Sequence, residues 1–287
     1  MKILLIGCTG QVGRALRSGL DAIGDVTAAD RAMMDLADPP QLSAVVRAIR
    51  PDLIVNAAAY TAVDRAEAES DLARRVNAEA VAVLADEARR LDALLVHYST
   101  DYVFDGLAAR PYREDDPARP LGQYGATKLA GEQAIAASGA RHLILRTSWV
   151  YSAGGSNFML TMLRLARQRP QLRVVDDQIG APTWAADVAA ATIAAMRPPA
   201  PVEGLFHVSA SGQVTWCGFA RAILKAAGLS TPIVPITTAE YPTAARRPAY
   251  SVLDSSCFAA ATGFRIGDWD TRLDAFMRES GLAAAAG

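Results

Sequence analysis

A run of four apolar residues, Ile3-Leu4-Leu5-Ile6, breaks at residue 7 into Gly7-Cys8-Thr9-Gly10-Gln11-Val12-Gly13. Few features constrain a fold more. A run this short and this apolar reads as a strand buried on both faces, as strands of a parallel sheet are. Glycines at this spacing let the chain turn tightly, bring the backbone up to a ligand, and let the next helix pack closely on the strand. Residues 11–23 then carry Val12, Leu16 and Leu20 on one helical face. The start of such a helix offers unpaired N–H groups to phosphate oxygens. Gly7, Gly10 and Gly13 are therefore candidate binding residues for a dinucleotide cofactor.

The same alternation continues. Residues 26–29, 53–55, 94–98 and 142–145 read as short strands, and 39–50, 71–91 and 124–138 as helices. Strands and helices in this rhythm predict an α/β fold, a doubly wound parallel sheet of the Rossmann type. After residue 150 the rhythm changes. Residues 157–169 read as a helix and 173–175 as a strand, and prolines multiply, among them Pro182, Pro198, Pro199, Pro232, Pro235, Pro242 and Pro248. No Gly/Ser linker separates the halves. The expectation is a cofactor-binding domain over 1–150 and a smaller interleaved C-terminal substrate-binding lobe over 151–287, some segments of which return to the first domain. The low-complexity tail, 283–287, is expected to fray.

Bulk properties exclude several classes. The net charge of −1 offers no basic field for nucleic acid, and no window is long and apolar enough to read as a membrane span. Cys8, Cys217 and Cys257 are far apart and odd in number, which excludes a Cys-x-x-Cys metal knuckle. A soluble cytoplasmic protein with free thiols is expected. His97, His142 and His207 sit singly in apolar runs and read as packing rather than catalytic residues.

Asp30 and Arg31 end the second strand, about 20 residues past the glycines. Asp30 suits adenosine ribose hydroxyls and hence NAD; Arg31 suits a 2′-phosphate and hence NADP. The two pull in opposite directions and leave the preference open. The strand ending in Ser99-Thr100-Asp101 is followed, 24 residues after Thr100, by Tyr124-Gly-Ala-Thr-Lys128. Positions i and i+4 share a helix face, so Lys128 comes beside Tyr124. An ammonium there would favour phenolate and lower the phenol pKa. The Thr100 hydroxyl, at a strand's C-terminal end, can orient a carbonyl alongside Tyr124. Thr100, Tyr124 and Lys128 are the candidate catalytic residues for moving a hydride to a carbonyl and supplying the proton.

This set resembles the extended short-chain dehydrogenase/reductase superfamily and, within it, the dTDP-4-dehydrorhamnose reductase family. The likeness runs through Gly10-Gln11-Val12-Gly13, Asn56-Ala-Ala-Ala-Tyr60-Thr-Ala-Val-Asp64, Ser99-Thr-Asp-Tyr-Val-Phe-Asp-Gly106 and Tyr124-Gly-Ala-Thr-Lys-Leu-Ala-Gly-Glu132. It continues through Arg146-Thr-Ser-Trp-Val-Tyr151, Asn157-Phe158, Asp177-Gln-Ile-Gly-Ala-Pro-Thr183 and Arg247-Pro248. It implies NADPH-dependent reduction, NADH serving as an alternative, of the C4 keto group of dTDP-4-dehydro-L-rhamnose to dTDP-L-rhamnose, the last step of dTDP-rhamnose biosynthesis. By the same resemblance Gly10, Gln11 and Val12 hold the pyrophosphate, Asp30 and Arg31 face the adenosine ribose, and Asp35 and Leu36 lie near the adenine. Ala59, Tyr60 and Thr61 run along the cofactor, Lys128 also binds the nicotinamide ribose, and Thr100, Asp101 and Trp149 meet the sugar. Arg247, with Arg246, suits the substrate diphosphate.

Related 4,6-dehydratases carry an Asp-Glu pair after the strand-end Thr. Here Tyr102 follows Asp101, which favours simple reduction. The family's metal-bridged dimers use carboxylates where this chain has Ala15 and Ala186. No metal is carried over, and a homodimer is left open. Two rivals stand: a reductase or epimerase of another dTDP-sugar, and a non-catalytic subunit like the regulatory subunit of methionine adenosyltransferase. An intact Thr100, Tyr124 and Lys128 argues against the second.

Overall fold

The computed structural model describes residues 1–197 and 201–284. Pro198, Pro199 and the last three residues of the expected frayed tail lie outside the described residues. The first half begins β1 (Lys2–Ile6), α1 (Gln11–Asp21), β2 (Asp25–Ala29), α2 (Pro39–Ile49) and β3 (Leu53–Asn56). It goes on through α3 (Val63–Ala68), α4 (Ser70–Arg74), a π-helical turn over Arg75–Glu79, α5 (Ala80–Leu91), β4 (Leu94–Thr100), α6 (Gln123–Ser138) and β5 (His142–Thr147). Local signals place these elements. The Asp38 side chain accepts from Gln41 N and proline opens α2, a standard helix start. Gly139, at φ 71°, ends α6.

The second half adds β6 (Val150–Tyr151), α7 (Phe158–Ala166), β7 (Leu172–Val175), β8 (Ile179–Gly180), β9 (Thr183–Trp184), α8 (Ala185–Ala195) and β10 (Gly204–His207). β11 (Val214–Thr215), α9 (Trp216–Ala226), β12 (Ile233–Ile236), α10 (Ser256–Thr262) and α11 (Trp269–Glu279) complete it. The central sheet has six strands in the order β10-β5-β4-β3-β1-β2, all parallel. The order reverses beside β1, with β2 on one side and β3 on the other. A crevice opens there at the carboxyl ends of the strands.

Two apolar layers flank the sheet. One joins Ile3, Leu5, Leu16 and Leu20 to Val188, Ala191 and Ala195 of α8; the other joins Leu4, Ile6 and Ile54 to Leu42, Leu84 and Ile135. A third cluster, with Tyr151, Phe219 and Phe276, belongs to the second half.

Two expectations need correction. The helix predicted over 71–91 is broken at Arg75–Glu79. The extra residue of the π turn lets the buried Asn77 face sideways. Its amide accepts from Tyr60 N at 2.8 Å and donates to Tyr60 O at 3.0 Å and to Thr127 Oγ1 at 3.2 Å. The tail is tied down as far as Ala284, whose N–H donates to Ala226 O, while Ala283 N donates to Met277 O.

Candidate active site

The crevice is a cleft of about 910 Å³, within the usual range for a small-molecule site. The glycine turn forms its floor. Gly7 has φ 78°, and a Cβ there would lie 2.7 Å from Ala58 N. A Cβ on Gly13 would lie 2.1 Å from Gly7 O, so Gly13 sets how closely α1 sits on β1. α1 has neither a capping side chain nor an acid in its first turn. Its first amides are thus left for an external acceptor. Arg14, Arg31 and Arg65 also line the cleft.

The end of β4 and the start of α6 form the far wall. Thr100 Oγ1 accepts from Tyr102 N at 3.1 Å and donates to Asp101 Oδ1 at 3.1 Å. Burial pushes the Tyr124 phenol up to about 12; the Thr100 hydroxyl draws it down and the Asp101 carboxylate pushes it up. Burial likewise pushes Asp101 up to about 7, opposed by the Ser251 and Thr100 hydroxyls. Burial draws Lys128 down to about 8, with Glu132 acting the other way. The Lys128 amino group is turned to Tyr98 O at 2.6 Å and His97 Nε2 at 3.0 Å. Burial is thus the largest of the influences on the Tyr124 phenol. Ser99 Oγ, Asp101 Oδ2 and Thr147 Oγ1 are buried without a hydrogen-bond partner among the described residues. All three residues line this cleft. Buried polar atoms are seldom left so, and three in one cleft await a polar ligand.

On the second-half side, the Trp149 ring stacks on Trp216 with centroids 3.4 Å apart and planes 5° from parallel. Trp149 is held at φ 46°, a costly conformation for a bulky residue. Gly180 makes room for it, since a Cβ there would lie 2.4 Å from the ring.

The sequence model of the family described as RmlD substrate binding domain matches residues 1–281. The dTDP-4-dehydrorhamnose reductase of Burkholderia thailandensis is 47% identical over 284 residues, covering 94% of this chain and 95% of that one. That of Escherichia coli K12 is 43% identical, covering 97% and 98%. The chain belongs to the dTDP-4-dehydrorhamnose reductase family. A crystal structure of the Bacillus anthracis reductase in complex with NADP superimposes with a TM-score of 0.92 at 35% identity, covering 97% of this chain and 99% of that one.

Most sequence-predicted residues of this reductase-family cleft come together. Gly7, Gly10, Gln11, Val12, Asp30, Arg31, Asp35, Leu36, Ala59, Tyr60, Thr61, Thr100, Asp101, Tyr124, Lys128 and Trp149 all line it. Gly13 and Arg247 do not. Gly13 acts through packing. Arg247 is half-buried and paired with Asp64, with bonds of 3.1 and 2.7 Å to the two carboxylate oxygens. The Gln11 side chain is also committed, joining Val150 O, Ser152 and Asn157; its backbone amide is what can meet a phosphate. Sequence reasoning missed Ser99 and Thr147 as site residues, although both stand inside motifs. Trp216 carried no sequence signal at all. Among the described residues no group of three or more His, Cys, Asp or Glu could hold a metal ion, and no helix is long and apolar enough to cross a membrane.

Proposed function

We infer that this chain reduces the C4 keto group of dTDP-4-dehydro-L-rhamnose with NAD(P)H, giving dTDP-L-rhamnose, and that it does so in the cytoplasm. The observation that carries this is the set of buried Thr100 and Lys128 and half-buried Tyr124 on the wall of a dinucleotide-shaped cleft, in a chain 47% identical to a named reductase. Residues 1–150 hold the cofactor, and 151–287 supply the substrate lobe. The residues fit the cofactor: the Gly7 turn admits close backbone approach, α1 presents uncapped amides, and three arginines stand near. Gly10, Gln11 and Val12 would hold its pyrophosphate, Asp30 and Arg31 its adenosine ribose, and Lys128 its nicotinamide ribose. When bound, it supplies the hydride.

The chain's own residues do the rest. A phenol held at about 12 keeps its proton at neutral pH, which is the state a proton donor to a newly formed alkoxide needs. The Thr100 hydroxyl orients the carbonyl oxygen toward Tyr124. Lys128, in its protonated form, would stabilise the phenolate left behind. Asp101 meets the sugar hydroxyls through Oδ2, and Trp149, braced by Trp216, gives the sugar an apolar wall. Positioning the carbonyl within reach of both hydride and proton contributes further rate.

The test is oxidation of NADPH by the purified chain with dTDP-4-dehydro-L-rhamnose generated in situ, with the product sugar nucleotide identified. Formation of dTDP-L-rhamnose is expected. Tight NADPH binding without oxidation would move the reading to another dTDP-sugar or to a binding role.

A further inference from the structure

Lys128 is completely buried, and its amino group meets a histidine that the reading above leaves unused. The polarity of that contact is set from the backbone outward. The Ala58 N–H can only donate, and it donates to Asn56 Oδ1 at 3.2 Å. The Asn56 amide oxygen is thereby fixed, so its Nδ2 is the atom 3.1 Å from His97 Nδ1. An amide nitrogen has only protons to offer, and His97 Nδ1 must accept. The proton of the neutral ring then sits on Nε2, and Nε2 is the atom 3.0 Å from Lys128 Nζ. An ammonium has no lone pair to receive that N–H. An amine does, and it can still donate to Tyr98 O at 2.6 Å.

We propose that Asn56 and His97 govern the protonation of Lys128: His97 is a positioning residue, held by Asn56 in the tautomer that points N–H at the lysine, and it favours the amine over the ammonium. Lys128 is thus placed to exchange its proton within the working pH range rather than to stand as a fixed charge. This rests on the reading that Lys128 serves Tyr124.

The surroundings agree. Burial holds His97 well below its usual pKa, with the lysine acting in the same direction, and a protonated Nδ1 would face the Asn56 amide donor to donor. The other titratable groups near Lys128 are Tyr124 and Glu132 on its own helix, and Asp101, which acts on Tyr124, at the end of β4. Glu132 is held by Arg146 of β5 at 2.6 and 2.9 Å, which limits its pull on the lysine. Burial already draws Lys128 toward neutrality, and the N–H of His97 adds to that.

The tautomers can be read directly by long-range 1H–15N correlation of the imidazoles in the full-length protein. There are three histidines, and His142→Gln removes one pattern. His207 is an internal control of opposite sense, since its Nδ1 faces the Tyr112 carbonyl at 3.0 Å and must donate. One Nε2–H ring and one Nδ1–H ring are expected; two Nδ1–H rings overturn the proposal. The second arm is the pH dependence of kcat in Asn56→Asp. A carboxylate accepts from both Ala58 N–H and Nδ1–H, which turns the Nε2 lone pair to the lysine and favours ammonium. The alkaline limb is expected to move up by about one pH unit or more. A uniform loss of rate with the limb unmoved is what a purely structural role gives, and it overturns the proposal. The tautomer readout needs no turnover, so failure of the reductase reading would be seen separately.

Discussion

At the scale of single residues, burial decides the state of each reacting group. Desolvation raises both Tyr124 and Asp101, and each has a definite consequence. Tyr124→Phe keeps the ring and removes the proton. Turnover is expected to fall by roughly 10²–10⁴-fold while NADPH still binds, measured by steady-state oxidation beside fluorescence titration; undiminished turnover would remove Tyr124 from the chemistry. For Asp101 the folded-state pKa stands near 7, above the value of about 3.9 in an unfolded chain. The folded protein therefore holds more protons than the unfolded one between these values. Stability falls as pH rises through that window, by up to roughly 4 kcal/mol at about 1.4 kcal/mol per unit. Asp101→Asn should flatten this decline in a series of thermal melts from acid to neutral pH, and an equally steep slope in the variant would assign it to other groups. Arg31 is 79% exposed at its side chain and, among the described residues, pairs with Asp35 alone, at 3.5 Å, which leaves the guanidinium accessible for the proposed contact with a 2′-phosphate. Arg31→Ala is expected to weaken NADPH by about tenfold or more and to leave NADH unchanged, as competing titrations would show. That these residues meet in one cleft was largely legible in the sequence, because a Tyr-x-x-x-Lys pair and a strand-end Thr point to one chemistry. The direction in which Lys128 reaches was not legible, since it depends on Asn56 and His97 from other strands.

Elements carry the geometry that residues exploit. Helix α1 meets β1 through two glycines, and the predicted contact between a Gly13 Cβ and Gly7 O at 2.1 Å is one backbone cannot relieve. Gly13→Ala should force the helix away from the strand, cost several kcal/mol by overpacking and weaken dinucleotide binding, because the amides of α1 move with it. Gly267→Ala is a matched control: its Cβ would meet only Arg272 Cδ, at 3.5 Å, and its melting temperature should barely change. Equal shifts in the two variants would show that close helix–strand approach is not what Gly13 provides. Helix and strand positions were readable from apolar periodicity and from caps such as Asp38. The π turn was not. Its residues have ordinary helical propensity, and only the hydrogen bonds from Asn77 to Tyr60 and Thr127 favour the wider turn. That turn joins the Tyr60 loop to Thr127 of α6. A Cβ at Gly131 of α6 would lie 2.3 Å from Asn77 O, so the two elements approach as closely as α1 and β1 do.

In the whole molecule the chain order does not separate the halves. β10 completes the sheet beside β5, and α8 covers α1, where Gly19 leaves room for Ile193. The Tyr98 hydroxyl meets Thr192 at 2.7 Å inside that layer, and Gln11 joins the glycine turn to the segment 150–157. The change of rhythm after residue 150 was visible in the sequence, but which later segments return to the sheet was not, since short strands of two to four residues are fixed by their partners rather than by their own pattern. The interleaving predicts how the protein unfolds. Residues 1–150 alone would leave β5 an open edge and uncover Leu16 and Leu20, which are fully buried in the intact chain. At about 25 cal/mol per Å² of apolar surface, uncovering a helix face of this kind removes several kcal/mol, a large share of the stability of an ordinary domain. The fragment is therefore expected to show no cooperative thermal transition and no NADPH binding, while the full chain melts in a single transition that NADPH moves upward. Circular dichroism with and without cofactor checks both. A fragment that melts cooperatively and binds NADPH as the full chain does would mean that the return of α8 and β10 adds the lobe to an already stable domain, and that closure of the cleft, rather than folding, is what the second half contributes.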